Sequence, residues 1–299
     1  MPPAVRPRED RRTFGMALMC GAVLCFTFID ASAKWLILSG IPVVQVVFAR
    51  YMGHFLCAAA YYARTEGLSG YFSRAPKRQL LRSVVLLIGT TFNFLAVGQL
   101  PITVTTTIFF AMPILITVLA IPILGERPGL RRFVAVLVGF GGVLIVVQPL
   151  GAVWQPAMIY SLAALLMASL YFVMTRALAG IESEAVSQLW PSGLAALTLL
   201  PLAMPVWVWP SGWLEWLVFG LIGLFGCAGH VQATTAHRMA DASLLAPLVY
   251  TQILWATLVG IIVFANWPTL WTLIGGAVII MSGLYIWQRE RLATHPINK

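Results

Sequence analysis

Long apolar runs alternate along this chain with short polar or helix-breaking stretches. A run of about 20 apolar residues is long enough to cross the hydrocarbon core of a bilayer as a helix. Ten such spans can be laid out, at 13–38, 42–63, 80–98, 101–123, 130–148, 156–178, 185–206, 214–238, 241–265 and 267–287. The connections carry proline, glycine or charge, as in Gly40-Ile41-Pro42, Gly125-Glu126-Arg127-Pro128-Gly129 and Pro149-Leu150-Gly151, residues that stop helices and start turns. Arg6, Arg8, Arg11 and Arg12 precede the first run in the manner of a signal peptide. The run from Phe14 to Leu38 is too long for the apolar region of such a peptide, so it is expected to be the first membrane helix.

Composition sharpens this reading. Of 299 residues, 60% are hydrophobic and 10% charged, with a mean hydropathy of +0.88. A soluble domain carries about 25% charged residues. The chain is therefore expected to be an all-α integral membrane protein, embedded in lipid and with no room for a sizeable soluble domain. Cys20, Cys25, Cys57 and Cys227 lie inside apolar runs without metal-ligand spacing, so they count as small core residues and neither metal nor cofactor is expected. The net charge of +9 has no basic domain to carry it, which argues against a nucleic-acid partner. With the N-terminus in the cytoplasm, 17 of the 19 Lys/Arg fall in cytoplasmic connections or at cytoplasmic span ends, Arg82 among them. That asymmetry is the positive-inside pattern and predicts both termini inside. Trp207, Trp209, Trp213, Trp216, Trp267 and Trp271 crowd the opposite span ends, as an interfacial aromatic belt does.

The chain also overlays on itself. Shifted by 140, Leu119–Gln148 meets Val259–Gln288, so that Pro128 matches Pro268, Gly142 matches Ser282 and Gln148 matches Gln288. With an offset of 142, Met16 meets Met158, Ala22 meets Ala164 and Lys34 meets Arg176. Two five-helix repeats, 1–150 and 151–299, are expected. Five is odd, so the second copy starts on the opposite side of the membrane. Inverted repeats of this kind build secondary transporters with a midplane site between the halves.

The duplicated unit, the sequence Leu124-Gly125-Glu126-Arg127-Pro128 before a glycine-rich span, and the proline-broken Phe110-Ala111-Met112-Pro113-Ile114-Leu115 together resemble the drug/metabolite transporter superfamily, specifically its ten-helix EamA-type carriers. The resemblance covers nearly the whole chain. It implies a bacterial inner-membrane protein most similar to exporters of amino acids and related metabolites. Asn266 stands where the first repeat has Glu126, so the resemblance supports no paired role for two acids.

Candidate chemistry lies inside the spans, where a charge is costly and marks function. Asp30 and Lys34 share a face of the first span with Thr27; Arg50 and His54 share one on the second. These could hold a substrate's charged end. Alternatively, Asp30 and Lys34 pair with each other while Arg50 snorkels outward. Asn93 and Gln232 are repeat mates at an offset of 139, and Gln252, His230 and the threonines Thr103, Thr106 and Thr107 add further polar candidates. Tyr171, Trp190, Tyr250 and Trp255 are deep enough to stack against an aromatic substrate. Pro113, Pro247 and Gly226 are candidate hinges, with interhelical packing as the alternative for the glycine. Glu126 fits a salt bridge or cap in its turn.

The expected function is secondary transport of a small metabolite by a monomer, through alternating access to a cavity between the repeats. With Lys34 and Arg50 as the only buried positive charges, the reading favours neutral or zwitterionic solutes, above all amino acids with apolar or aromatic side chains. Lipid-like or nucleotide-sugar solutes on the same fold are the alternative. HExxH, G-x-S-x-G and Walker sequences are absent, which argues against an enzyme or an ATP-driven pump.

Overall fold

A computed structural model describes residues 9–65, 67, 72–124, 130–147, 154–178, 181–239, 245 and 248–294. These residues are helical with short connections and include no strand. The helices are α1 (Glu9–Leu38), α2 (Val43–Thr65), α3 (Pro76–Val97), α4 (Ile102–Phe109), α5 (Met112–Leu124), α6 (Leu130–Val147), α7 (Met158–Ala177), α8 (Glu184–Ala203), α9 (Trp213–Met239), α10 (Gln252–Phe264) and α11 (Leu270–Thr294). Among the described residues, seven helical segments are long and apolar enough to span a membrane, and three shorter apolar helices accompany them.

Local chemistry sets the ends. α1 stops where Gly40 turns to φ 93°; the Gly40 and Ile41 amides then donate to Ile37 and Leu36 carbonyls, closing a Schellman cap before Pro42. Pro76 opens α3, where a missing amide costs nothing. Ser183 Oγ accepts from the Val186 amide at 3.2 Å to start α8.

The fourth span is interrupted as its proline predicts, but the break lies at Phe110–Ala111, just before Pro113. Pro113 is the second residue of α5, a position that tolerates proline. A second break, at Tyr250–Thr251, precedes α10. The two breaks are 140 residues apart, the offset that relates the repeats. Phe110 and Tyr250 meet edge to face, with ring centroids 5.3 Å apart. The interrupted helices thus touch at equivalent points.

The neighbours obey the same symmetry. α1 packs on α9 as α7 packs on α3; α2 packs on α9 as α8 packs on α3; α2 meets α8, α6 meets α11 and α4 meets α10. Exchanging each helix of the first five spans for its counterpart returns this set of contacts, as a two-fold relation requires. The inverted five-helix arrangement follows from that relation together with the odd span number. The junction near residue 150, the Glu126 turn, Ser243 and Pro247 lie outside the described residues.

Two crossings depend on glycine. A Cβ on Gly53 would lie 2.9 Å from Gly223 Cα, and one on Gly223 would lie 2.5 Å from Gly53 Cα, so α2 and α9 touch backbone to backbone. Gly142 and Gly275 do the same for α6 and α11. Small residues allow such close packing where lipid offers no hydrophobic drive for association.

Candidate functional site

A polar seam runs between α1, α2 and α3 on one side and α7, α8 and α9 on the other. At the end of the bundle carrying the α2–α3 connection, Glu182 accepts from Ser73 Oγ, from the Ala75 amide at 2.8 Å and from the Arg74 amide at 3.3 Å. Partial burial pushes this carboxyl up, but those bonds and the Arg82 charge outweigh it and hold it below its ordinary value. Deeper, Gln79 Nε2 donates to the Val186 carbonyl at 3.1 Å. These links tie the α2–α3 connection and the start of α3 to the start of α8.

Arg82 follows, and it corrects the expectation that Lys34 and Arg50 are the only buried positive charges. It is 1% exposed. Nη1 donates to Thr175 Oγ1 at 3.1 Å and Nη2 to the Ser187 carbonyl at 2.8 Å, while the guanidinium lies 5.2 Å from the Tyr171 ring centroid. Six residues after Pro76, Arg82 sits roughly 9 Å along α3, already beneath the ends of α7 and α8. Lys34 and Arg50 are therefore not the only buried cations, and the premise that favoured neutral solutes falls with that.

Beyond Arg82 is a small cavity of about 10 Å³, room for about one water. Arg50, Tyr51, His54, Tyr171, Gln188, Ser192 and His230 are among its lining residues. Arg50 Nη2 approaches His230 Nε2 at 3.5 Å, and its guanidinium carbon lies 4.3 Å from the Tyr51 ring centroid. Arg50 Nε and Nη1 have no partner, nor do the ring nitrogens of His54. The His54 and His230 rings stack 5.4 Å apart, and Phe26 meets His230 edge-on at 5.2 Å. Tyr51 Oη is held by Thr90 Oγ1 at 2.7 Å.

Next along the seam, Asn93 Nδ2 donates to Asp30 Oδ1 at 2.8 Å. Lys34 Nζ donates to the Val97 and Leu100 carbonyls at 3.0 and 2.7 Å, a cation placed at a helix C-terminus. The alternative in which Asp30 pairs with Lys34 is corrected: each instead fastens α1 to α3, because free carbonyls and an amide lie closer than the opposite charge. Arg50 does not snorkel, being 5% exposed.

Of the residues singled out from sequence, Arg50, His54, Tyr171 and His230 come together at the cavity, with Asp30 and Asn93 beside them. Others do not. Gln232 Nε2 points to Cys25 Sγ at 3.6 Å, so Asn93 and Gln232 both face α1 and do not meet as mates across an axis. Tyr250 packs on Phe110 against Gly283. Trp255 is packed with Met19, Val23, Ala236 and Leu245, its indole nitrogen unpartnered. Gln252 opens α10 away from the cavity lining. Trp190 lines an open apolar groove of about 270 Å³ with Phe55, Leu189, Gly193, Leu194 and Leu197. Gly226 lies against His54 within an uninterrupted α9, which gives it a packing place. Of Pro113 only the backbone is described.

Arg82, Tyr51, Gln188 and Ser192 were missed. A signal existed for two: Gln188 and Ser192 are four apart and share a helical face. A charge near the end of an apolar run carries no mark of which way it points, so Arg82 had none.

The pattern of the EamA-like transporter family matches residues 13–148 and again residues 155–287. The chain belongs to that family. It is a multi-pass membrane transporter of small metabolites, not an enzyme. Among its relatives, a riboflavin transporter of Rhizobium johnstonii is 28% identical, covering 96% of this chain and 94% of its own. A riboflavin transporter of Vibrio cholerae is 26% identical over 92% and 93%, and an S-adenosylmethionine uptake transporter of Rickettsia felis 27% identical over 73% and 74%. These names do not support the expected amino-acid export. One solved crystal structure superposes with a TM-score of 0.58 at 20% identity, covering 90% of this chain and 98% of that one, which supports the fold alone.

Proposed function

We propose that the protein is a secondary carrier for a small metabolite that joins a planar ring to groups rich in hydrogen-bond acceptors, with riboflavin the first compound to test. The observation that supports this is the cavity between Arg50, His54, Tyr171 and His230, where aromatic rings and unpaired donors face each other inside the membrane. The riboflavin transporters align over nearly the full chain, the S-adenosylmethionine ones over about three quarters, which sets the order of trial. An amino acid with an apolar or aromatic side chain is the second reading, because its carboxylate also suits Arg50.

The two units, 1–150 and 151–299, rock against each other, and the seam opens to one side and then the other. A ligand pocket needs about 300–1,000 Å³, so the cavity of about 10 Å³ has to widen to admit a substrate. The protein works as a monomer in a bacterial inner membrane with both termini in the cytoplasm. Its direction is uptake, as in the names of the S-adenosylmethionine relatives, rather than the export implied by the first resemblance. Flux into proteoliposomes tests this. Saturable entry of labelled riboflavin, with phenylalanine and S-adenosylmethionine in parallel, supports the reading; flux of none of the three overturns it. Loading from either side, with orientation fixed by a protease-sensitive terminal tag, reads the direction.

A further inference from the structure

Three cations are buried in the seam, and they are not equivalent. Lys34 has two carbonyl acceptors. Arg82 holds a hydroxyl and a carbonyl. Arg50 has one long contact to His230 and an aromatic face below it; its Nε–H and both protons on Nη1 meet no acceptor. Among the described residues no carboxylate forms an ion pair with it, and the Asp30 oxygen that faces α3 is taken by Asn93. A buried guanidinium with free donors is costly unless something satisfies it, and Arg50 lines the cavity where that something would sit.

We infer that Arg50 recognises a pair of adjacent acceptors on the substrate: the two oxygens of a carboxylate, or a carbonyl and the ring nitrogen beside it on a heterocycle. A planar guanidinium is matched to such pairs. It binds carboxylates by two parallel bonds and reads the carbonyl and ring nitrogen of guanine in the same way. A lysine at this position offers the charge without the fork. The inference rests on the proposed carrier function and adds the group on the substrate that the carrier reads.

The test uses the full chain, with binding measured in detergent and flux measured in liposomes. One arm sets riboflavin against its 1-deaza and its 5-deaza analogues, each of which lacks one of the two ring nitrogens that accept beside a carbonyl. The other sets S-adenosylmethionine against its carboxyl methyl ester. Wild-type protein prefers the intact acceptor pair in one arm by roughly tenfold or more, the scale of a hydrogen bond to a charged group; the arm that responds identifies the source. In Arg50→Gln that preference falls to near unity, and in Arg50→Lys it falls to what charge alone gives, near unity for the uncharged flavin and reduced for the carboxylate, while melting temperature and elution volume report whether each variant is folded. The full wild-type preference in a folded Arg50→Gln or Arg50→Lys overturns the inference. So does wild-type protein that transports a compound without distinguishing it from any of its analogues, a result that needs no variant and leaves the carrier function standing. Absence of any flux removes the carrier function and the inference together.

Discussion

The molecule contains two kinds of interior. In the seam between α1–α3 and α7–α9, polar side chains reach across to other helices: Arg82 to α7 and α8, Asp30 to Asn93, Lys34 to the end of α3. In the half built from α4, α5, α6, α10 and α11, the core is Val104, Ile108, Phe110, Ile114, Val143 and Ile279. There the hydroxyls of Thr105 and Thr107 bond to carbonyls of their own helix, and α6 and α11 join through glycine contacts. The first half adds to its packing directional bonds whose loss leaves buried groups stranded; the second is held by shape.

Substitutions can break that comparison. The largest effect is expected for Arg82→Ala, which strands the Ser187 carbonyl and empties a buried site, while Thr175 keeps its bond to the Tyr171 carbonyl. A lost bond from a charged donor costs about 1.5–3 kcal/mol and the emptied volume adds to it, so thermal melting in detergent should drop sharply and transport should vanish. Gly53→Val comes next. Its side chain meets the α9 backbone, and overpacking of this kind costs about 1–3 kcal/mol; melting is again the readout. Asn93→Ala strands the Asp30 carboxylate, at about 1.5–3 kcal/mol for a bond to a charged group. Thr107→Val, in the apolar half, removes only a bond within its own helix and should shift melting little, well under 1 kcal/mol. Equal losses from Arg82→Ala and Thr107→Val would erase the distinction between the halves.

The Glu182 clasp gives the smallest effect and a pH signature. Its folded-state carboxyl titrates below the ordinary value, so the stability it contributes is fully present above that ordinary value, about 4.3, and is lost as pH falls through the depressed one. Acid should therefore loosen the α2–α3 mouth in wild type, and Glu182→Gln should remove that acid-dependent step while leaving melting near neutrality only slightly lower.

Much of the fold was legible because lipid imposes length and apolarity on every span. The offset of 140 that pairs Pro128 with Pro268 also pairs the breaks at Phe110 and Tyr250, so even the interruption of two helices was encoded in the repeat. The site was legible only in part. Arg50 and His230 stood out because charge and imidazole are rare in apolar runs. Arg82 did not, because membership in a span or in a connection depends on where α7 and α8 end, which is a tertiary fact. Gln232 and Trp255 were misleading: their spacing placed them deep, but depth does not say which neighbour a face meets. Asp30 and Lys34 shared a face as expected, yet the competing partners, the Asn93 amide for one and the Val97 and Leu100 carbonyls for the other, lie far away in sequence.

The central claim is that substrate passes through the polar seam and not through the apolar half. The direct measurement is thiol labelling in liposomes of a chain freed of Cys20, Cys25, Cys57 and Cys227, carrying either Gln188→Cys or Thr106→Cys. The account predicts that a water-soluble maleimide labels the first during turnover, that transported substrate slows this labelling, and that the second stays unlabelled. Labelling and substrate protection at Thr106→Cys, with none at Gln188→Cys, would contradict it.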